Sequence, residues 1–107
     1  MNNRFLSLLG LCQKAGKLKS GEFQTETAVK SGTAWLVILP RDASDNTKKK
    51  FTDMCSFYEV DVMEYGTKDE LGASIGKDPR SSIAVCDEGF AGSLKKLSDT
   101  VREITEE

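Results

Sequence analysis

The chain has 107 residues, of which 38% are hydrophobic and 30% are charged, and it contains only two prolines. This size and composition predict one globular domain and exclude collagen-like, disordered and multidomain proteins. No apolar run approaches the roughly 20 residues that a membrane-spanning helix needs, and no signal-peptide pattern opens the chain, so we expect a cytoplasmic protein without a membrane partner.

The net charge of −2 hides an asymmetry between the two halves of the chain. Residues 1–50 contain nine Lys and Arg against four acids, whereas residues 51–107 contain six against thirteen. A basic half suits a phosphate-binding surface, although a run of cations is as often a merely solvated one. Composition alone leaves both interpretations open.

Hydrophobic periodicity and turn residues predict helices and strands in alternation. The predicted elements, in chain order, are a helix after Asn2 or Asn3 to about 15, a helix from Gly21 to about 31, a strand over 34–39, a helix capped by Ser44 or Asp45 to 58, a strand over 60–64, a short helix behind a capping box at 67–70, a strand over 82–86, and a last helix from about 90. Such alternation predicts an α/β fold, a three-layer α/β/α sandwich around a small mixed sheet.

Residue types argue against catalysis. The chain contains no histidine, the commonest general base and metal ligand. Cys12, Cys55 and Cys86 stand among apolar neighbours, which favours reduced packing residues over reactive thiolates. Asp87 and Glu88 follow a strand and could hold magnesium, but capping of the next helix is the favoured interpretation. We therefore expect neither an enzyme nor a bound metal or cofactor.

The segment around Gly21 is the strongest local candidate for a binding site. Its glycine spacing resembles a phosphate loop, but Glu22 stands where that motif needs lysine. A glycine at a helix start exposes backbone N–H groups to a phosphate or a base, and Gln24 in the same turn can donate and accept at a base edge. The alternative is an ordinary surface helix. Phosphate contacts near it could come from Lys17, Lys19 and Arg41.

A second candidate is the loop 76–81 between the short helix and the last strand. Lys77 and Arg80 flank the rigid Pro79, an arrangement that could hold an extruded nucleotide. The alternative is an ordinary helix-to-strand turn.

Four segments carry a family resemblance: residues 21–32, 42–49, 71–76 and 87–91. They resemble the ribosomal protein family of L7Ae and L30e, most closely its bacterial YlxQ-type subgroup, over nearly the whole chain. The resemblance implies the same sandwich and a function in binding structured RNA, in particular kink-turns. In these sharply bent internal loops, sheared G·A pairs expose guanine edges that an A-form groove hides.

The family pattern maps onto the start of the second helix. Gly21 is retained, but the family's asparagine is Phe23, its glutamate is Gln24 and its lysine is Thr27. Gln24 keeps a carbonyl acceptor for a guanine edge. Phe23 could stack on a base or anchor the helix in the core, and core packing is favoured.

Basic residues offset these losses. Arg41 stands where archaeal members tend to have an acid, and Lys77 and Arg80 lie in the loop that in the family closes over a bulged nucleotide. We therefore expect a ligand among ribosomal RNA, other non-coding RNA or messenger leaders, and association with the ribosome or translation. The alternative is a protein-interaction module, since acidic relatives use the same sandwich to bind proteins. Clustering of the cations would favour RNA.

Overall fold

The structure, a computed structural model, describes the backbone of residues 3–106 and the side chains of residues 3–98. Five helices and four strands alternate within this range: α1 (Arg4–Lys14), β1 (Leu18–Ser20), α2 (Glu22–Lys30), β2 (Leu36–Leu39), α3 (Asp45–Tyr58), β3 (Asp61–Glu64), α4 (Lys68–Ser74), β4 (Ile83–Val85) and α5 (Glu88–Glu106). None of these helices, over the residues described, combines the length and apolar character required to cross a membrane.

The four strands form one mixed sheet in the order β1-β4-β2-β3. β4 runs antiparallel to both β1 and β2, whereas β3 runs parallel to β2. As a consequence, β1, β2 and β3 end, and β4 begins, at the same edge of the sheet. We call this edge the loop end; it comprises the connections 20–22, 40–44, 65–67 and 76–82.

The sheet is covered on both faces, as predicted. All four residues of β2 are buried. Leu36 and Ile38 pack in a core with α1, α4 and α5, while Val37 and Leu39 pack with α2 and α3 on the other face. Alternation along the strand thus divides the core into two layers. The predicted three-layer sandwich is confirmed.

Most predicted helix boundaries are also confirmed. Asn3 and Ser44 accept hydrogen bonds from the third residue that follows each of them, and Thr67 and Glu70 form a complete capping box. An Asp87 carboxylate oxygen accepts from the Phe90 N–H at 2.9 Å, the capping role favoured over magnesium binding. These caps satisfy backbone donors that a helix leaves unpaired at its start.

Strand β1 was expected only as a connecting segment. It has three residues and one buried apolar side chain, Leu18, which is too short a pattern to indicate a strand. Its conformation comes from pairing with β4, in which Leu18 stands opposite Val85. Such pairing joins residues far apart in the chain and leaves no local signal.

Candidate nucleic-acid interface

Gly21 makes the corner between β1 and α2. Its φ of 94° lies in a region that L side chains rarely adopt, so glycine is required by backbone conformation. Its own N–H donates to the Ser82 carbonyl at 3.0 Å, which ties the corner to the start of β4. No side chain caps α2, so the N–H groups of its first turn are left for an external acceptor.

The outward side of α2 carries three of the positions to which the family resemblance assigns RNA contacts. The side chains of Phe23, Gln24 and Thr27 are exposed and line a shallow cavity of about 280 Å³ that reaches Lys19 on β1. The Thr27 hydroxyl donates to the Phe23 carbonyl at 2.9 Å, so this hydroxyl is already engaged within the helix. Gln24 has no such partner among the described side chains.

The prediction that Phe23 packs in the core is wrong, because its side chain is 80% exposed. α2 buries Thr25, Ala28 and Val29, which share one face at helical spacing. Phe23 lies two residues before Thr25 and therefore on nearly the opposite side of the helix. The large ring faces solvent beside Gln24.

The two acids of α2 face the neighbouring helix. Lys50 of α3 contacts Glu22 at 2.7 Å and Glu26 at 2.9 Å, and Lys30 contacts Glu26 at 2.7 Å. The hydrogen bonds from Lys30 and Lys50 lower the pKa of Glu26 to about 2. Both carboxylates are thus compensated on the side that faces α3, away from the cavity beside Gln24.

The loop before β4 is held tightly between α4 and the β1–α2 corner. A Cβ at position 72 would meet the Asp78 carbonyl oxygen at 2.2 Å, so the close approach of this loop requires Gly72. The Arg80 N–H donates to the Lys68 carbonyl at 3.2 Å, and its Nε donates to the Ser20 hydroxyl at 3.1 Å. Arg80 therefore links this loop directly to the residue before Gly21.

Arg41 enters the loop end from β2. Its N–H donates to the Gly66 carbonyl at 2.8 Å, and its guanidinium lies 5.9 Å from the centre of the Tyr65 ring. Asp42 beside it accepts from the Lys68 N–H at 2.9 Å, which joins this connection to the start of α4. The ring and these hydrogen bonds orient Arg41 without neutralising its charge.

The structure brings most of the predicted site residues together. Those on connections or first turns at the loop end are Gly21, Phe23, Gln24, Arg41, Lys77, Pro79 and Arg80. Lys19 lies within β1 and lines the cavity beside α2. Lys17 lies before β1, where its carbonyl accepts from the Cys86 N–H at 2.8 Å, so it stands at the other end of that short strand.

The cations of the candidate interface lack carboxylate partners. Among the side chains of residues 3–98, the salt bridges involve Lys30, Lys48, Lys49, Lys50 and Lys95. They do not involve Lys17, Lys19, Arg41, Lys77 or Arg80. These five cations thus form no salt bridge with a described carboxylate, although Glu22, Asp42 and Asp78 also lie in the connections of the loop end. Lys30 and Lys50, by contrast, are paired with acids of α2.

Sequence reasoning missed three residues that position this surface: Ser20, Asp42 and Gly72. Ser20 and Asp42 act through contacts made by folding, and neither has a local signal. Gly72 does have one, because a glycine inside a helix costs about 1 kcal/mol relative to alanine and usually has a packing reason.

The cysteines and acids of the described region do not form a reactive centre. Cys12 and Cys55 are buried, Cys86 is half-buried, and all three are free thiols. Burial raises the pKa of both Cys12 and Cys55 to about 11, which disfavours the nucleophilic thiolate. Within the residues described, no three His, Cys, Asp or Glu side chains gather as a metal site.

Comparison with known proteins identifies the class. Residues 3–95 match the family described as "Ribosomal protein L7Ae/L30e/S12e/Gadd45 family", and the chain belongs to this family. Among its relatives is "RNA-binding protein YlxQ" of Bacillus subtilis (strain 168), 45% identical over 86% of this chain and 92% of the relative. The protein of the same name from Enterococcus faecium is 41% identical over 86% of this chain and 88% of its own length.

A solved structure agrees with the fold. A protein described as of unknown function from Bacillus halodurans C superposes with a TM-score of 0.88 at 44% identity. The superposition covers 92% of this chain and 99% of the other.

Proposed function

We propose that this chain binds structured RNA, namely kink-turn-like internal loops, through the loop end of its sheet. The observation that carries the proposal is that Arg41, Lys77 and Arg80, none of them in a salt bridge with a described carboxylate, lie at the same edge of the sheet as the uncapped first turn of α2. Phosphate contacts dominate RNA affinity, and backbone N–H groups at a helix start suit phosphates and base edges. The protein acts in the cytoplasm, in association with the ribosome or translation, on ribosomal RNA, other non-coding RNA or a messenger leader.

Each part of the surface has a distinct role in this proposal. Gln24 and the first-turn N–H groups of α2 contact the exposed guanine edges of the internal loop. Arg41, Lys77 and Arg80 contact phosphates on either side of it. Pro79 and the loop around it cover the extruded nucleotide, and this loop is held in place by Gly72.

The relatives support the same function. Two of them, at 45% and 41% identity, carry the name RNA-binding protein. Of the five candidate cations, Arg41, Lys77 and Arg80 lie at the loop end and Lys19 lines the cavity beside α2, whereas Lys17 lies at the other end of β1. Scattering of all five over opposite faces would have favoured a protein-interaction module. The absence of histidine from the sequence further favours a binding protein over an enzyme.

The test is a binding titration with a kink-turn RNA and a copy whose G·A pairs are replaced by Watson–Crick pairs. We expect tighter binding to the kink-turn, since only it presents guanine edges to Gln24. In Gln24→Ala this preference should fall by about 1 to 2 kcal/mol, roughly five- to thirty-fold in Kd ratio. Gln24→Glu, which restores the family's residue, should keep the preference.

The matched control is Gln13→Ala, since Gln13 is the chain's other glutamine and lies on α1. It should leave both affinities unchanged. Equal affinity of the unmodified protein for the two RNAs would refute kink-turn recognition, and failure to bind either RNA would refute RNA binding as a whole.

A further inference from the structure

A second surface lies at the opposite end of the sheet, where β2 and β3 begin. A groove of about 650 Å³ runs there between the ends of α2 and α3 and the start of α5. Its floor is apolar, formed by Val29, Ala34, Val60 and Ala91. We call it the aromatic groove, because Trp35 and Tyr58 line it while remaining 50% and 40% exposed. Four residues of β2, a rise of about 10 Å, separate it from the loop end.

The charge of the aromatic groove is negative. Its two lysines are engaged, Lys30 with Glu26 and Lys95 with Asp61. Glu59 and Glu88 on its rim form no salt bridge with the cations that the structure describes. Two helices, α2 and α3, end at this groove and direct the negative ends of their dipoles towards it. One helix, α5, begins here, and Glu88 in its first turn offsets the positive end of its dipole.

Gly92 of α5 lines this groove. Gly92 lies inside the helix, where glycine is disfavoured relative to alanine. A Cβ at this position would meet nothing within 4 Å among the described neighbours, so packing within the described fold does not require a glycine. This part of the groove is therefore free of side-chain atoms, and a bulky side chain at position 92 would fill it.

From these observations we propose that the aromatic groove binds an extended, arginine-rich segment of a partner protein. A guanidinium stacks on the faces of tryptophan and tyrosine and pairs with carboxylates at the same time. Three carboxylates line the groove against two lysines that are already paired with acids, and this balance disfavours phosphate, and therefore RNA, as the occupant. A second copy of this chain is a poor occupant, because its four arginines, at positions 4, 41, 80 and 102, are widely separated.

The experiment titrates the full chain with a peptide of Arg-Gly-Gly repeats, and with Lys-Gly-Gly and Ser-Gly-Gly peptides of equal length. Trp35 is the chain's one tryptophan and therefore reports occupancy of the groove by its fluorescence. We expect the arginine peptide to shift this fluorescence and to bind at least about tenfold tighter than the serine peptide. The lysine peptide should bind more weakly than the arginine peptide, because an ammonium lacks the planar stacking surface.

Two matched pairs of variants test whether the peptide binds in the aromatic groove. Gly92→Met fills the groove and should weaken binding roughly tenfold or more, whereas Gly92→Ala should keep most of it. Tyr58→Ala should weaken binding, whereas Leu11→Ala should not, since Leu11 is 56% exposed on α1 and lies outside the groove lining. Circular dichroism confirms that each variant is folded.

Several outcomes would overturn the proposal. They are equal binding of the arginine and serine peptides, equal binding of the arginine and lysine peptides, an unchanged affinity in Gly92→Met, and self-association that by itself shifts Trp35 fluorescence. All groove variants should bind the kink-turn RNA like the unmodified protein, so this proposal and the RNA proposal succeed or fail separately.

Discussion

Phe23 shows how much a single residue can change the interface. An exposed ring of this size contributes little to the core, yet it lies beside Gln24 on the side of α2 where we propose that RNA binds. Aromatic faces stack on bases that are splayed out of a helix. In the proposed interface, the exposed ring of Phe23 supplies a surface on which a base can stack without a hydrogen bond to its edge.

We therefore predict that Phe23→Ala weakens RNA binding by about 1 to 3 kcal/mol, the range measured for loss of one stacked base. The free energy of unfolding should change by less than about 0.5 kcal/mol, because the side chain is exposed. RNA titration and urea denaturation measure the two quantities. Phe57→Ala, at an equally exposed phenylalanine on α3, is the control and should leave RNA affinity unchanged. A large loss of stability in Phe23→Ala would instead indicate a packing role.

At the scale of elements, α4 positions the loop that follows it. The helix has only seven residues, and its capping box fixes its start. Gly72 then allows the Asp78 and Pro79 backbone to lie against the helix, and Arg80 joins the loop to Ser20. The positions of Lys77 and Arg80 are thus determined by the packing of the loop backbone against α4 more than by contacts of their own side chains.

Gly72→Ala should destabilise the fold by about 1 to 3 kcal/mol, because the added Cβ would lie 2.2 Å from the Asp78 carbonyl oxygen. RNA affinity should also fall, because the loop would move away from α4 and displace Lys77 and Arg80. Urea denaturation and RNA titration provide the measurements. Gly92→Ala is the control, a helical glycine with open space, and it should be neutral or stabilising. Equal stability of the two variants would show that loop 76–82 does not depend on this contact.

At the scale of the whole molecule, the two proposed binding surfaces lie at opposite ends of the sheet and carry different charged groups. Cations that form no salt bridge with described carboxylates lie at the loop end, whereas Glu59 and Glu88 lie on the rim of the opposite groove. The net charge of −2 does not reveal this division. In the proposed complex, RNA phosphates contact the cations of the loop end and leave the opposite groove free.

RNA affinity should consequently depend steeply on salt. If four or five cations contact phosphates, log Kobs should fall with log salt at a slope of about −3 to −4. Lys77→Ala should lower the magnitude of this slope by about 1 and weaken binding to all RNAs alike. Lys49→Ala, at an exposed lysine already paired with Asp53, should change neither. A slope near zero would contradict an interface built on phosphate contacts.

Much of this protein could be predicted from its sequence, because the relevant signals are local. Periodicity placed all five helices and three of the four strands, and the caps at Asn3, Ser44 and Thr67 marked helix starts. The run that forms β2 indicated a strand buried on both faces, and hence a three-layer sandwich. Gly21 was identified because its conformation is a property of the backbone at one position.

The tertiary structure alone decided what depends on pairing between distant residues. β1 exists because β4 pairs with it, and this antiparallel pairing brings Ser20 beside Arg80. The direction of Phe23 followed from which face of α2 packs on the sheet. The aromatic groove, assembled from the ends of three helices, has no counterpart in any single segment. Local propensities specify the helices and strands, whereas sheet order and burial determine which side chains from distant segments come into contact. Both the loop end and the aromatic groove are formed by such long-range contacts.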